Sequence, residues 1–436
     1  MLYRQFANRM SDNLGSGLLL QAAISVVARV LSAGAGFAAS VALGRSLGAE
    51  QSGYYFLGFT LITILAAFSR LGLDSTVMRY TAQAHPDYPR RLVWGILRRG
   101  MLLTSGGGVL LSLGVYILAP WLATRLFHKP ELADVLRYMS PSVMLLACFT
   151  LVAMSLQGQR RTVRSVFTLN ISINLGLILL LWLQGASSAS QAAWAFSLSA
   201  ALTLVSGLWL CRGQPSTELQ CPLPSWSQLF SSCLPLWVVM IMGQLTQWVG
   251  QIAAGAYVSS SEVALLAVAQ RTAMLTSFIL IAVNMVVAPR FSALHAKGES
   301  QKIRSLTRLS VRWMLIVALP VFAVMLLLPE RLLSLFGPEF SAGYWYLRIL
   351  AVGQLVNVAT GSVAYLLAMS GNERDLRNAA LFSGMLAVVL AWFLTRGYGA
   401  IGSAIATAVA VACQNLLAVY WVKRRLGFNT LLFWRS

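Results

Sequence analysis

The sequence predicts an all-α integral membrane protein of about twelve transmembrane helices in two six-helix lobes, with both termini in the cytoplasm. Three observations predict this class. Of the 436 residues, 58% are hydrophobic and only 11% charged, with a mean hydropathy of +0.71, whereas soluble chains run about a quarter charged. Apolar runs near the about 20 residues needed to cross a bilayer core recur along the whole chain. The 33 Lys and Arg, against 13 Asp and Glu, gather in alternate loops between those runs. The net charge of +20 is therefore a topology signal rather than the mark of a nucleic-acid partner.

The first run, 17–43, follows MLYRQFANRMSDNLGSG, which carries two arginines. No small-residue cleavage site follows, and the run is too long for a signal peptide, so it is a retained helix. The second run covers 51–72. The third, 99–119, is interrupted by Ser-Gly-Gly-Gly at 105–108, and the fourth, 139–157, has a proline near its start. These two have the weakest helical character. Runs at 165–183 and 190–211 complete a first set of six. The stretch RGQPSTELQCPLPSW (212–226) is rich in Pro and Ser and forms a cytoplasmic linker. Beyond it come 229–257, 262–288, 310–329, 343–369, 378–394 and 399–421. With the N-terminus inside, 24 cations fall in inside segments and seven in outside segments, and Arg29 and Arg271 lie within helices. That asymmetry supports an even number of spans.

The chain also repeats itself. At an offset of 211, VALGRSLG (41–48) falls on IAAGAYVS (252–259) and MRYTAQ (78–83) on PRFSAL (289–294). With offsets of 209 and 213, APWLATRLF (119–127) matches LPERLLSLF (328–336) and GQRRTVR (158–164) matches GNERDLR (371–377). Because six helices separate the copies, each begins on the same side of the membrane. The lobes, 1–211 and 227–436, are then parallel repeats related by an axis along the membrane normal.

Several motifs resemble one family: LGRSLGAEQSGYYFL after the first run, SRLGLDSTVMRY after the second, LLSLFGPEFSAGYWYLRIL (332–350) and GYGAIGSAIATAV (397–409). In order and spacing the chain resembles the polysaccharide-repeat, O-antigen-type flippases of the multidrug/oligosaccharidyl-lipid/polysaccharide (MOP) exporter superfamily. The resemblance spans nearly the whole chain. It implies a central cavity between the lobes and a substrate of undecaprenyl diphosphate bearing a sugar repeat. That substrate is carried across the bacterial inner membrane from the cytoplasmic to the periplasmic leaflet, as in lipopolysaccharide biosynthesis. It also implies as partners the phospholipid membrane and the polysaccharide polymerase and chain-length proteins. The chain departs from the family in its seventh helix, where GQLTQWVGQIAAG has no carboxylate.

The intramembrane charges bear on the cargo. Arg29 and Arg271 each sit about ten to twelve residues from a helix end, hence roughly 14–18 Å deep in a core about 30 Å thick. A lipid-facing arginine there costs at least about 2.5–3.5 kcal/mol. All thirteen acidic residues fall in loops or at helix ends. The counter-charge is supplied by an anionic cargo, such as a diphosphate held bidentately by guanidinium; the bland alternative is hydrogen bonding to backbone carbonyls and amides. Polar stripes mark a lumen: Gln244, Gln247 and Gln251 on the seventh helix, Gln354 and Asn357 on the tenth, Asn170 and Asn174 on the fifth. Amides of this kind contact sugar hydroxyls or join helices to one another.

No enzyme signature is present. The chain lacks HExxH, GxxxxGK[ST] and any Ser/His/Asp set, and no cofactor is implied. Five scattered cysteines and three histidines form neither a disulfide framework nor a metal site. Three rivals stand beside the flippase: a lipid II flippase, usually of fourteen helices; a multidrug exporter, for which a buried carboxylate is expected; and a polysaccharide polymerase or ligase, which needs a larger outside loop than 120–138.

Overall fold

A computed structural model describes residues 2–83, 90–211, 226–296 and 298–431, and within them the chain is helical throughout, with no strand. The first half comprises α1 (Leu2–Ser69), α2 (Leu73–Gln83), α3 (Arg90–Trp121), α4 (Leu132–Met139), α5 (Pro141–Gly158), α6 (Thr162–Val166), α7 (Ser172–Gln184) and α8 (Ala189–Cys211). The second comprises α9 (Trp226–Tyr257), α10 (Ser260–Met274), α11 (Ser277–Ala296), α12 (Ser300–Leu327), α13 (Pro329–Leu333), α14 (Tyr344–Thr360), α15 (Val363–Met369) and α16 (Glu373–Leu426). Nearly all of the 212–226 linker falls outside the described residues.

All twelve apolar runs are mainly helical, with breaks at 275–276 and 361–362 inside two of them. By length and composition, eight described helical segments can cross a membrane, or nine if the bent pair formed by α14 and α15 is one span. The two longest, of 46 and 54 residues, each carry two of the runs across one bend. The bends are Gly48 (φ 69°, ψ 178°) and Gly399 (φ 59°, ψ −143°), conformations that only glycine adopts cheaply. The segments on either side are near the about 20 residues of a bilayer crossing. The chain is thus a multi-pass membrane protein.

The two runs with the weakest helical character are regular helix, for identifiable reasons. The glycines at 106–108 leave α3 unbroken, and the last of them serves packing: a Cβ on Gly108 would stand 2.8 Å from Met144 Cα of α5. Small residues that let backbones approach are how helices associate where no water drives burial. Pro141 occupies the first turn of α5, where its missing N–H costs nothing.

Turns recur at the spacing of the sequence repeat. The Gly48 bend matches the extended Ser259 N-cap of α10. The left-handed residue His128 matches Gly337, also at positive φ, and Phe127 and Phe336 are both buried.

Contacts between the halves are close. A Cβ on Gly53 of α1 would overlap the carbonyl oxygen of Ser260, so α1 and α10 touch through their backbones. Lys129 Nζ donates to the Gly255 and Val258 carbonyls, each at 2.7 Å, meeting the negative end of α9. Arg45 Nε donates to the Leu335 carbonyl at 2.8 Å. Toward the opposite end of α1, Phe68 meets Trp237 edge-to-face at 5.8 Å. Arg70 is buried beside Asp74 at 3.6 Å and reaches the Thr150 hydroxyl at 3.3 Å, so this cation is structural as well as a topology signal.

The Gly53 contact yields a test. Gly53→Ala should lower the melting temperature in detergent by a shift worth at least about 1–3 kcal/mol, since backbone rather than a flexible side chain obstructs the methyl group. Unfolding followed by tryptophan fluorescence reads it, and an unchanged midpoint contradicts the close approach.

Candidate functional site

The site begins with the bend at Gly48. It turns α1 back along α10 and presents Tyr55, Phe56 and Phe59 from one stretch of helix. Tyr55 and Phe56 are 1% and 0% exposed. Tyr55 and Phe59 stack at 6.4 Å, and Phe196 of α8 meets Phe59 edge-to-face at 5.4 Å. Onto these rings α10 delivers Arg271. Its guanidinium carbon lies 4.3 Å from the Phe56 ring centre, 4.9 Å from Phe59 and 5.9 Å from Trp248 of α9. Contacts of this type contribute about 0.5–1 kcal/mol when exposed and about 2 kcal/mol or more when desolvated.

Among the described residues no carboxylate pairs with Arg271. Its Nη1 is buried without a hydrogen-bond partner. The aromatic faces therefore offset part of the cost of a buried cation, and the N–H groups of Nη1 are left over. Those residues line a cavity of about 270 Å³ with Ser32, Gly36 and Ser40 of α1, and with Asn170 and Asn174. Asn170 lies in a π-helical turn, Phe167–Ile171, between α6 and α7, and such turns concentrate at functional sites. Asn174 Nδ2 donates to the Asn170 carbonyl at 2.6 Å.

A second cavity of about 540 Å³ adjoins the first, and Met274 lines both. Gln244 and Gln247 reach it from α9, Gln354 and Asn357 from α14, Ser277 and Asn284 from α11, and Gln414 and Asn415 from α16. Two broken helices frame it. The helix carrying Arg271 is interrupted at Leu275 and Thr276, and resumes at Ser277. α14 ends at Gly361 (φ 76°), and α15 begins two residues later after a bend of 40°. Interruptions at membrane depth free backbone groups and are tolerated where they line a cavity. Inside, Ser277 Oγ and Asn357 Nδ2 both donate to Gln354 Oε1 at 3.0 Å, and Gln270 Nε2 donates to the Gln247 carbonyl.

The candidate residues from the sequence thus divide. Arg271 and Asn174 line the first cavity, and Gln244, Gln247, Gln354 and Asn357 the second. Gln251 lines neither; it is 1% exposed and both amide atoms are buried without a partner. Arg29 is half-buried and lines neither cavity. It shares a helix face with Ser32 and Gly36, one turn away. Sequence reasoning missed Trp248, Phe56 and Phe59, which carry no mark separating them from core aromatics. It also missed Asn284, Gln414 and Asn415, and the adjacent amides Gln414–Asn415 in an apolar run were a signal for the last two. Among the described residues no group of three His, Cys, Asp or Glu comes together to hold a metal.

If the rings and the unpaired N–H groups nearly balance, Arg271→Met should leave the melting temperature within about 1 kcal/mol of the parent protein. A loss of several kcal/mol would reveal an anionic partner.

Comparison with known proteins matches residues 18–295 to a family described as polysaccharide biosynthesis protein, and residues 235–393 to the MatE family. A probable low-salt glycan biosynthesis flippase, Agl15, of Haloferax volcanii is 25% identical over 403 residues, covering 91% of this chain and 81% of that protein. Among solved structures, an inward-facing multidrug resistance MATE family transporter of the MOP superfamily superposes with a TM-score of 0.74 at 15% identity, over 92% of this chain and 98% of that one. The lipid II flippase MurJ, in an inward closed conformation, gives 0.73 at 15% identity over 92% and 87%. The fold is that of MOP transporters.

Proposed function

The chain belongs to the polysaccharide biosynthesis protein family, and we propose that it is a flippase for undecaprenyl-diphosphate-linked oligosaccharide repeats in the bacterial inner membrane. The observation that carries this reading is Arg271. It is a cation at membrane depth beside a cavity, with no carboxylate partner among the described residues and the N–H groups of Nη1 unbonded. A diphosphate presents oxygens in the geometry that guanidinium engages bidentately. The likeness to a relative named as a glycan biosynthesis flippase agrees with a lipid-linked glycan as cargo.

Each part has a role. Segments 1–211 and 227–436 act as two lobes that rock about the cavity, and the matched turns at Gly48 and Ser259 support a duplicated architecture. The rings of Phe56, Phe59 and Trp248 hold Arg271 in place without an anion. The arriving diphosphate takes up the guanidinium, with Arg29 one turn along the same face of α1 as the cavity's hydroxyls. Amides of the second cavity, Gln244, Gln247, Gln354 and Asn357, meet the sugar, and Asn174 meets it from the first. The isoprenoid tail stays in the bilayer while the head crosses. An inside-negative potential favours outward movement of negative charge by about 2.3 kcal/mol per charge per 100 mV fully crossed. No step requires a covalent intermediate, so the chain acts as a transporter rather than a polymerase or ligase. A multidrug exporter is the weaker reading, because the cavity beside Arg271 presents a cation to its cargo.

Arg271→Ala should abolish surface polysaccharide in a complementation assay while the protein still inserts, and lipid-linked oligosaccharide should accumulate. Normal polysaccharide in that strain would sink the reading.

A further inference from the structure

We propose that the 540 Å³ cavity is a recognition site for uncharged sugars, and that it discriminates against repeat units bearing a carboxylate. The proposal rests on the flippase reading and concerns which glycans pass. Three features of the cavity point to it.

The first is the chemistry of the wall. Its polar groups include the amides of Gln244, Gln247, Asn284, Gln354, Gln414 and Asn415, with hydroxyls beside them, and among the described residues no charged side chain lines it. Each amide offers both a donor and an acceptor, and a hydroxyl or acetamido group needs both. A carboxylate in this setting would lose its hydration and find no cation in the cavity.

The second is unused hydrogen-bonding capacity. Asn284 Oδ1 and Ser362 Oγ are buried without partners, in residues 4% and 2% exposed, and both residues line the cavity. Buried polar atoms are nearly always bonded, so these two await a ligand hydroxyl or a water. Among the described residues, the side chains of Gln244, Gln247 and Gln414 likewise form no hydrogen bond to other protein groups. By contrast Gln354 Oε1 accepts from both Ser277 and Asn357, which fixes one wall. The remaining lining, including Met240, Leu280, Ile281 and Tyr365, suits the C–H faces of a pyranose.

The third is position. Met274 alone is common to this cavity and the Arg271 cavity. A sugar attached to a diphosphate at Arg271 therefore has the amide cavity as its neighbour. The volume falls within the about 300–1,000 Å³ of small-molecule sites, so part of an oligosaccharide, rather than a whole long repeat, is read here.

The test uses the full chain in proteoliposomes and three labelled polyprenyl diphosphates: one without sugar, one with a neutral N-acetylated trisaccharide, and one with the same trisaccharide bearing a uronic acid. The neutral glycolipid should cross at least about tenfold faster than the acidic one, the factor expected from one unmatched buried polar group. Asn284→Ala with Gln414→Ala should lower the ratio of neutral-glycolipid to sugarless-lipid transport by at least about tenfold. Gln414→Lys, which supplies a cation, should shift preference toward the uronic acid, and it serves as the check if the double variant fails to fold. Equal rates for the neutral and acidic lipids, or a Gln414→Lys protein with unaltered preference, would overturn the proposal. Failure of the flippase reading looks different: Arg271→Ala would then transport all three lipids like the parent protein.

Discussion

The arrangement around the site depends on how a cation is carried at membrane depth without a carboxylate beside it. Arg271 lies over Phe56, Phe59 and Trp248 at 4.3–5.9 Å, and α1, which carries the two phenylalanines, touches α10 backbone to backbone at Gly53 and Ser260. Ring quadrupoles attract a cation without neutralising it. The guanidinium is thus held while its charge and its unbonded Nη1 remain available. A carboxylate partner would have quenched both, and a departing one would have been left buried and uncompensated. Aromatic support holds the cation while leaving its hydrogen-bonding groups open to the cavity.

The second cavity solves a different problem with the same economy of charge. Helix breaks after Met274 and at Gly361 open backbone and side-chain polar groups toward a shared space. In a bilayer such breaks survive only where protein or a wet cavity satisfies them. Around Gln354 the side-chain groups bond one another, while Asn284 Oδ1 and Ser362 Oγ stay without a protein partner. A cation thus lines one cavity and uncharged amides and hydroxyls the next.

The helical, multi-pass class was legible from hydropathy and composition. Chain breaks also recur near the spacing of the sequence repeat, at Gly48 and Ser259 and at His128 and Gly337. Legibility failed where one-dimensional propensity and packing disagree. The glycines at 106–108 weaken a helix in isolation, yet Gly108 is where α3 meets Met144. The Gln244–Gln247–Gln251 stripe marks one helix face, yet Gln251 is buried away from the cavity that its two companions line, because neighbouring helices cover that turn.

By itself the sequence determined that this is a multi-pass membrane protein, that it repeats, and that Arg271 is a charge with no acidic residue near it along the chain. Each follows from composition or spacing, because bilayer thickness and the cost of charge act on local stretches of chain. Only the tertiary structure decided what faces that charge and which amides share a chamber. Asn284, Gln354 and Gln414 lie on three helices, far apart in sequence, and the rings around Arg271 come from two helices other than its own. Such groupings arise from backbone contacts between small residues, and a small residue in a sequence does not name its partner.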